Sequence, residues 1–152
     1  MENKPISLST EPQNALVRRF VDFHERCSLN TITRLEEIYT QDIEFISPLL
    51  QSQGILALCS HLKSFFDDVD FYQRRHLDSL VGEHSAYLSW EMDCAHARIA
   101  GGRPITLRGI SHIKYTSRIY FQEDCFDLGA LLYDQVPGLA SLARFARRRL
   151  LG

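Results

Sequence analysis

The sequence predicts an α+β fold of the cone-shaped, cystatin-like kind, with N-terminal helices packed on a strongly curved antiparallel sheet and a helical tail at the C-terminus. Three observations carry the prediction. Apolar residues recur at helical spacing as far as Phe66 and at a spacing of two from Phe71 to Phe126. Helical segments precede strand segments, which is the order of α+β rather than alternating α/β proteins. The later strands follow one another across short turns, and strands this long twist and coil, so the sheet presents a concave face for the helices to cover.

The 152 residues, 45% hydrophobic and 11% aromatic, suit a single domain with a true core. We divide it into a flexible lead-in over 1–9, a core over 10–128 and a helical tail over 129–152. A formal net charge of -2 gives no electrostatic reason to expect a nucleic-acid partner. No apolar run approaches the ~20 residues that cross a bilayer, so no stable membrane insertion is expected. The opening MENKPISLSTEP lacks the apolar stretch of a secretory signal, which points to the cytoplasm. Cys27, Cys59, Cys94 and Cys125 lie far apart and form no CxxC pair, and HExxH is absent. Reduced thiols are expected, with no metal and no cofactor.

The first helix is expected to begin at Thr10, with Pro12 in its first turn and Gln13 completing a capping box. Leu16, Val17, Phe20, Val21 and Phe23 form its buried stripe. A short second helix, capped by Asn30 or Ser28, carries Ile32, Leu35, Ile38 and Tyr39. A strand over 43–47 follows, between Asp42 and Pro48. Gly54 opens a third helix that Asp67, Asp68 and Asp70 end. Residues 71–81 read as a strand of weak pattern. Residues 87–97 are clearer, with Leu88, Trp90, Met92 and Cys94 alternating with polar residues. Gly101-Gly102 makes a turn. In the next strand Ile105, Leu107, Gly109, Ser111, Ile113 and Tyr115 share one face, and Gly109 allows a bend or a close approach. A last strand runs over 119–126, and the tail is broken at Pro137-Gly138.

The segment Tyr39-Thr40-Gln41-Asp42-Ile43-Glu44-Phe45-Ile46-Ser47-Pro48, followed by Gly54-Ile55, resembles the nuclear transport factor 2-like superfamily, which includes ketosteroid isomerases and SnoaL-like polyketide cyclases. The stretch Gly109-Ile110-Ser111-His112-Ile113-Lys114-Tyr115 up to Arg118-Ile119 is similar to its penultimate strand and turn. The resemblance implies a cone with a pocket at its open end, and a homodimer through the outer sheet face. It does not imply steroid isomerisation. Ser47 stands where the isomerases carry their general base, Phe20 or Phe23 where they carry an oxyanion-holding tyrosine, and Ser111 where they carry a protonated aspartate; a phenylalanine donates no hydrogen bond.

Weak acid–base candidates are His76, His112 and Asp42. His112 titrates near neutral pH but alternates onto the polar strand face; Asp42 suits tying down a helix–strand junction. Tyr39, Ser47, Trp90, Ser111 and Tyr115 are expected to line the pocket. The leading expectation is a mostly apolar pocket for a small apolar molecule. The alternatives are an isomerase, cyclase or dehydratase, and a non-catalytic interaction module. The basic run Arg144, Arg147, Arg148 and Arg149 reads as a solvated helix face.

Overall fold

Asn14 starts the first helix of the computed structural model, which describes residues 7–9, 14–127, 129 and 138–150. Its backbone is extended and its side-chain oxygen accepts from the amides of Leu16 at 2.8 Å and Val17 at 3.3 Å, satisfying donors that the helix leaves open. Helix α1 spans Ala15–Glu25. The expected cap at Thr10, with Pro12 and Gln13, lies outside the described residues. A 3₁₀ turn over Ile32–Glu37 takes the place of the second α-helix, preceded by Thr31 rather than by Asn30 or Ser28. Thr31 accepts from the Ser28 amide and donates to the Ser28 carbonyl, tightening that corner.

Strand β1 is Ser7–Ser9, inside the expected lead-in, and pairs with the end of β4. Strand β2, Tyr39–Ile46, begins four residues before the expected start, because Tyr39 already faces the core. The turn at Ser47 leads to β3, Gln51–Gln53. Gly54, at φ 90°, then turns the chain into α2, Ile55–Phe66, a conformation that disfavours side chains. Strands β4 (Val69–Val81), β5 (Ser85–His96), β6 (Ile105–Tyr115) and β7 (Ile119–Phe126) form the antiparallel meander, and α3 covers Leu139–Leu150.

The sheet order is β1-β4-β5-β6-β7-β2-β3. One pair departs from the expected antiparallel pattern: β2 runs parallel to β7. The crossover through α2 carries the chain from β3 to the other side of the sheet, and after three reversals β7 meets β2 running the same way. Register shifts in β2, β4 and β6 add twist, and the sheet curves without closing.

The helices bury Leu16, Val17, Phe20, Phe23, Ile55 and Leu58 against inward residues such as Ile43, Leu88, Ile113 and Ile119. A smaller cluster surrounds Trp90 and Leu107. Gly109 is required there: a Cβ would lie 2.3 Å from the Trp90 ring. Among the described residues no helix is long and apolar enough to cross a membrane.

Candidate functional site

Polar side chains from five strands and α1 converge inside the cone. Ser111 of β6 is fully buried and is the hub. Its hydroxyl donates to Asp124 Oδ1 at 2.6 Å and accepts from Trp90 Nε1 at 2.9 Å and Arg74 Nη2 at 3.1 Å. Asp124 Oδ1 also accepts from Gln122 Nε2 at 2.9 Å. The Gln122 oxygen accepts from the Tyr39 hydroxyl at 2.6 Å, and Tyr39 lies 2.8 Å from His24 Nε2.

The direction of these bonds is determined. The Asp124 carboxylate only accepts, so the amide nitrogen of Gln122 faces it and the amide oxygen faces Tyr39. Tyr39 spends its proton on that oxygen, so it accepts from His24 and Nε2 carries the hydrogen. His24 is then the neutral tautomer with its lone pair on Nδ1. Burial, with the nearby Arg74 charge adding to it, holds the imidazole well below its ordinary value near 6.5. Burial and the Asp124 charge push Tyr39 well above its usual 10, so it stays a phenol. Tyr72, pushed up to about 12 mainly by burial, donates to the His24 carbonyl at 3.0 Å.

Arg74 is 9% exposed, and its guanidinium lies 4.2 Å from the Trp90 ring centre. Among the described residues no carboxylate comes within 4.0 Å of it; Asp124 reaches it through Ser111. A cation buried this way keeps donor capacity for a further acceptor, since burying a charge is costly unless it is well bonded. The space beside it is about 10 Å³, barely enough to admit one water molecule, bounded by Phe20, Val21, Leu88 and Trp90 on one hand and His24, Glu25, Arg74 and His76 on the other. The sequence suggested a mostly apolar pocket; the interior here is largely filled, and half of the residues around the remaining space are polar.

Of the expected residues, Tyr39, Trp90 and Ser111 join this array, and His76 borders the space. Ser47 instead ties the β2–β3 turn, accepting from the amides of Leu49 and Leu50. Tyr115 is buried, but its hydroxyl donates to the Gly82 carbonyl at the β4–β5 hairpin. Asp42 is exposed, with its carbonyl held by Gln53. His112 lies on the outer sheet face, stacked on Tyr87 at 4.2 Å. The sequence reading missed His24, Arg74, Gln122 and Asp124. One signal was available: His24 follows Phe20 by four positions, placing a polar residue within the apolar stripe of α1. Among the described residues no group of three metal-ligating side chains occurs.

No family model and no curated protein matches the sequence. Solved structures do match. An NTF2-like protein of unknown function from Exiguobacterium is 15% identical, with 75% of this chain and 99% of that one covered at a TM-score of 0.63. A Jannaschia protein assigned as a SnoaL-like polyketide cyclase is 12% identical, covering 82% and 96% at 0.69. An LEH-like epoxide hydrolase from M. tuberculosis is also 12% identical, covering 84% and 92% at 0.60. The shared feature at these identities is the architecture: this chain has the same cone-shaped fold as these NTF2-like structures.

Proposed function

We propose that the protein binds a small molecule at the mouth of the cone, through one anionic or strongly polar group that Arg74 receives and an apolar part that rests against Phe20, Val21 and Leu88. The observation that carries this reading is a buried guanidinium with no carboxylate partner beside a space in the cone. Neighbours in the fold assigned as cyclases and an epoxide hydrolase support small-molecule handling in general terms. The space present holds about one water molecule, so a ligand must displace rim side chains such as Glu25 or His76. The protein and an R74M variant can be incubated with a metabolite extract and the retained compounds identified by mass spectrometry. Retention of carboxylates or carbonyl compounds by the wild type alone supports the proposal; retention of nothing, or of the same compounds by both, contradicts it.

A second reading, a proton-transfer enzyme, is favoured by the fixed tautomer of His24. A neutral imidazole with its lone pair on Nδ1 can take a proton, and burial together with the Arg74 charge makes it a weak base that releases that proton readily. Deuterium uptake by a retained compound in D₂O, lost in H24Q, would support it; no uptake in the wild type would exclude that compound as a substrate. Residence in the cytoplasm and a homodimer through the outer sheet face belong to the same reading. The outer face offers exposed Tyr87 and Ile110 beside the Arg75–Glu91–Asp93 ion pairs. Sedimentation equilibrium showing a monomer that Y87E leaves unchanged would remove the dimer.

A further inference from the structure

A larger hollow than the one in the cone lies outside it, between α1 and the 3₁₀ turn. It measures about 150 Å³ and is bordered by Arg19, Asp22 and Phe23 of the helix, by Arg26 at its C-terminal cap, and by Thr31, Arg34, Glu37 and Ile38 across the gap. Phe23 and Ile38 are buried and give it an apolar floor. The far wall is neutralised, because Arg34 holds Glu37 through two hydrogen bonds of 3.1 and 2.9 Å. The helix wall is not. Arg19 lies on α1 and Arg26 caps its C-terminal end seven positions on, and both are exposed. Neither side chain makes a hydrogen bond or ion pair to a described residue, although the Arg26 backbone donates to the Asp22 carbonyl and accepts from Thr31. Glu37 is bonded to Arg34 and only feels the charge of Arg19 across the gap, so among the described residues the two guanidiniums of the helix side are balanced chiefly by Asp22.

Arginine presents paired donors that match the oxygens of a phosphate or carboxylate, and two of them over one hollow suit a compact oxyanion better than a neutral guest. We propose that this hollow is a second binding site, distinct from Arg74, for a small organic oxyanion such as a phosphate monoester. Arg19 and Arg26 hold the anion and the short carbon portion lies on Phe23 and Ile38. Asp22, between the two arginines, limits the charge that fits and disfavours highly charged polyanions. The volume of about 150 Å³ is sufficient for an anion of this size.

Isothermal titration of the full chain with inorganic phosphate and with glycerol 3-phosphate tests the proposal. Saturable binding of glycerol 3-phosphate is expected, weakened at least about tenfold in R19Q/R26Q and unchanged in R74M. Both replaced arginines are exposed, so the folded state survives the change, which circular dichroism verifies. Failure of both probes to give saturable heat, or equal affinity in R19Q/R26Q and wild type, overturns the site. Loss of binding in R74M alone transfers the anion to the cone and overturns it as well.

Discussion

Replacing Ser111 with alanine removes one oxygen and three hydrogen bonds. The Trp90 indole N–H loses its acceptor, Arg74 loses its link toward Asp124, and Asp124 loses its shortest donor. An unsatisfied buried donor costs about 1–3 kcal/mol, and bonds to charged groups are worth about 1.5–3 kcal/mol each. The full sum overstates the effect, because Asp124 keeps Gln122, Arg74 keeps the Trp90 face, and a water can enter the adjoining space. We expect S111A to destabilise the protein by about 3–5 kcal/mol, which at this chain length lowers Tm by roughly 6–20 °C. Urea unfolding followed by circular dichroism and by the fluorescence of Trp90, the single tryptophan, measures it. S47A is the control: that hydroxyl serves an accessible turn, and its loss should cost no more than about 1 kcal/mol. A loss below about 1 kcal/mol in S111A would refute the hub.

Three further outcomes follow from the same geometry. His24 has a lowered pKa in the folded state, so the unfolded chain binds more protons below about pH 6.5; stability should be complete above that pH and fall as pH drops from there toward the folded value, with a slope from this group of at most about 1.4 kcal/mol per unit. Urea midpoints between pH 5 and 7 should show a shallower slope in H24Q, and an identical slope would remove His24 as the cause. G109A drives a methyl into the Trp90 ring, where the ring must retreat and strain its bond to Ser111; a loss of about 2–4 kcal/mol is expected, and a crystal structure with Trp90 unmoved would contradict the close approach. N14A deprives two helix amides of their acceptor and should cost about 1 kcal/mol by thermal unfolding, whereas an unchanged Tm would place the cap elsewhere.

The architecture was legible in the sequence because its determinants are periodic. The bounds of β7 match the expected 119–126, and Leu107, Ser111, Ile113 and Tyr115 do share the buried face of β6. The parallel pairing of β2 with β7 was not legible, since strand order depends on where the α2 crossover lands and no local residue records it. The polar array was half legible. Ser111 and Trp90 sit in regular alternation, so their faces could be read. Arg74 lies in a strand whose pattern is interrupted by a register shift between His76 and Asp78, and charge there reads as solvent-facing. Gln122 and Asp124 occupy the inward row of β7, where polar residues reverse the usual rule. Their burial is stable only because His24, Tyr39 and Ser111, distant in sequence, supply donors.

The indole N–H resonance of Trp90 tests the central claim most directly, because it is unique in the spectrum and is bonded to Ser111 beside Arg74. Titration with benzoate and with benzamide compares an anion with a neutral molecule of nearly the same shape. A saturable shift with benzoate, weaker or absent with benzamide and abolished in R74M, is predicted. No shift with benzoate, or the same shift in R74M, would show that the buried guanidinium receives no ligand.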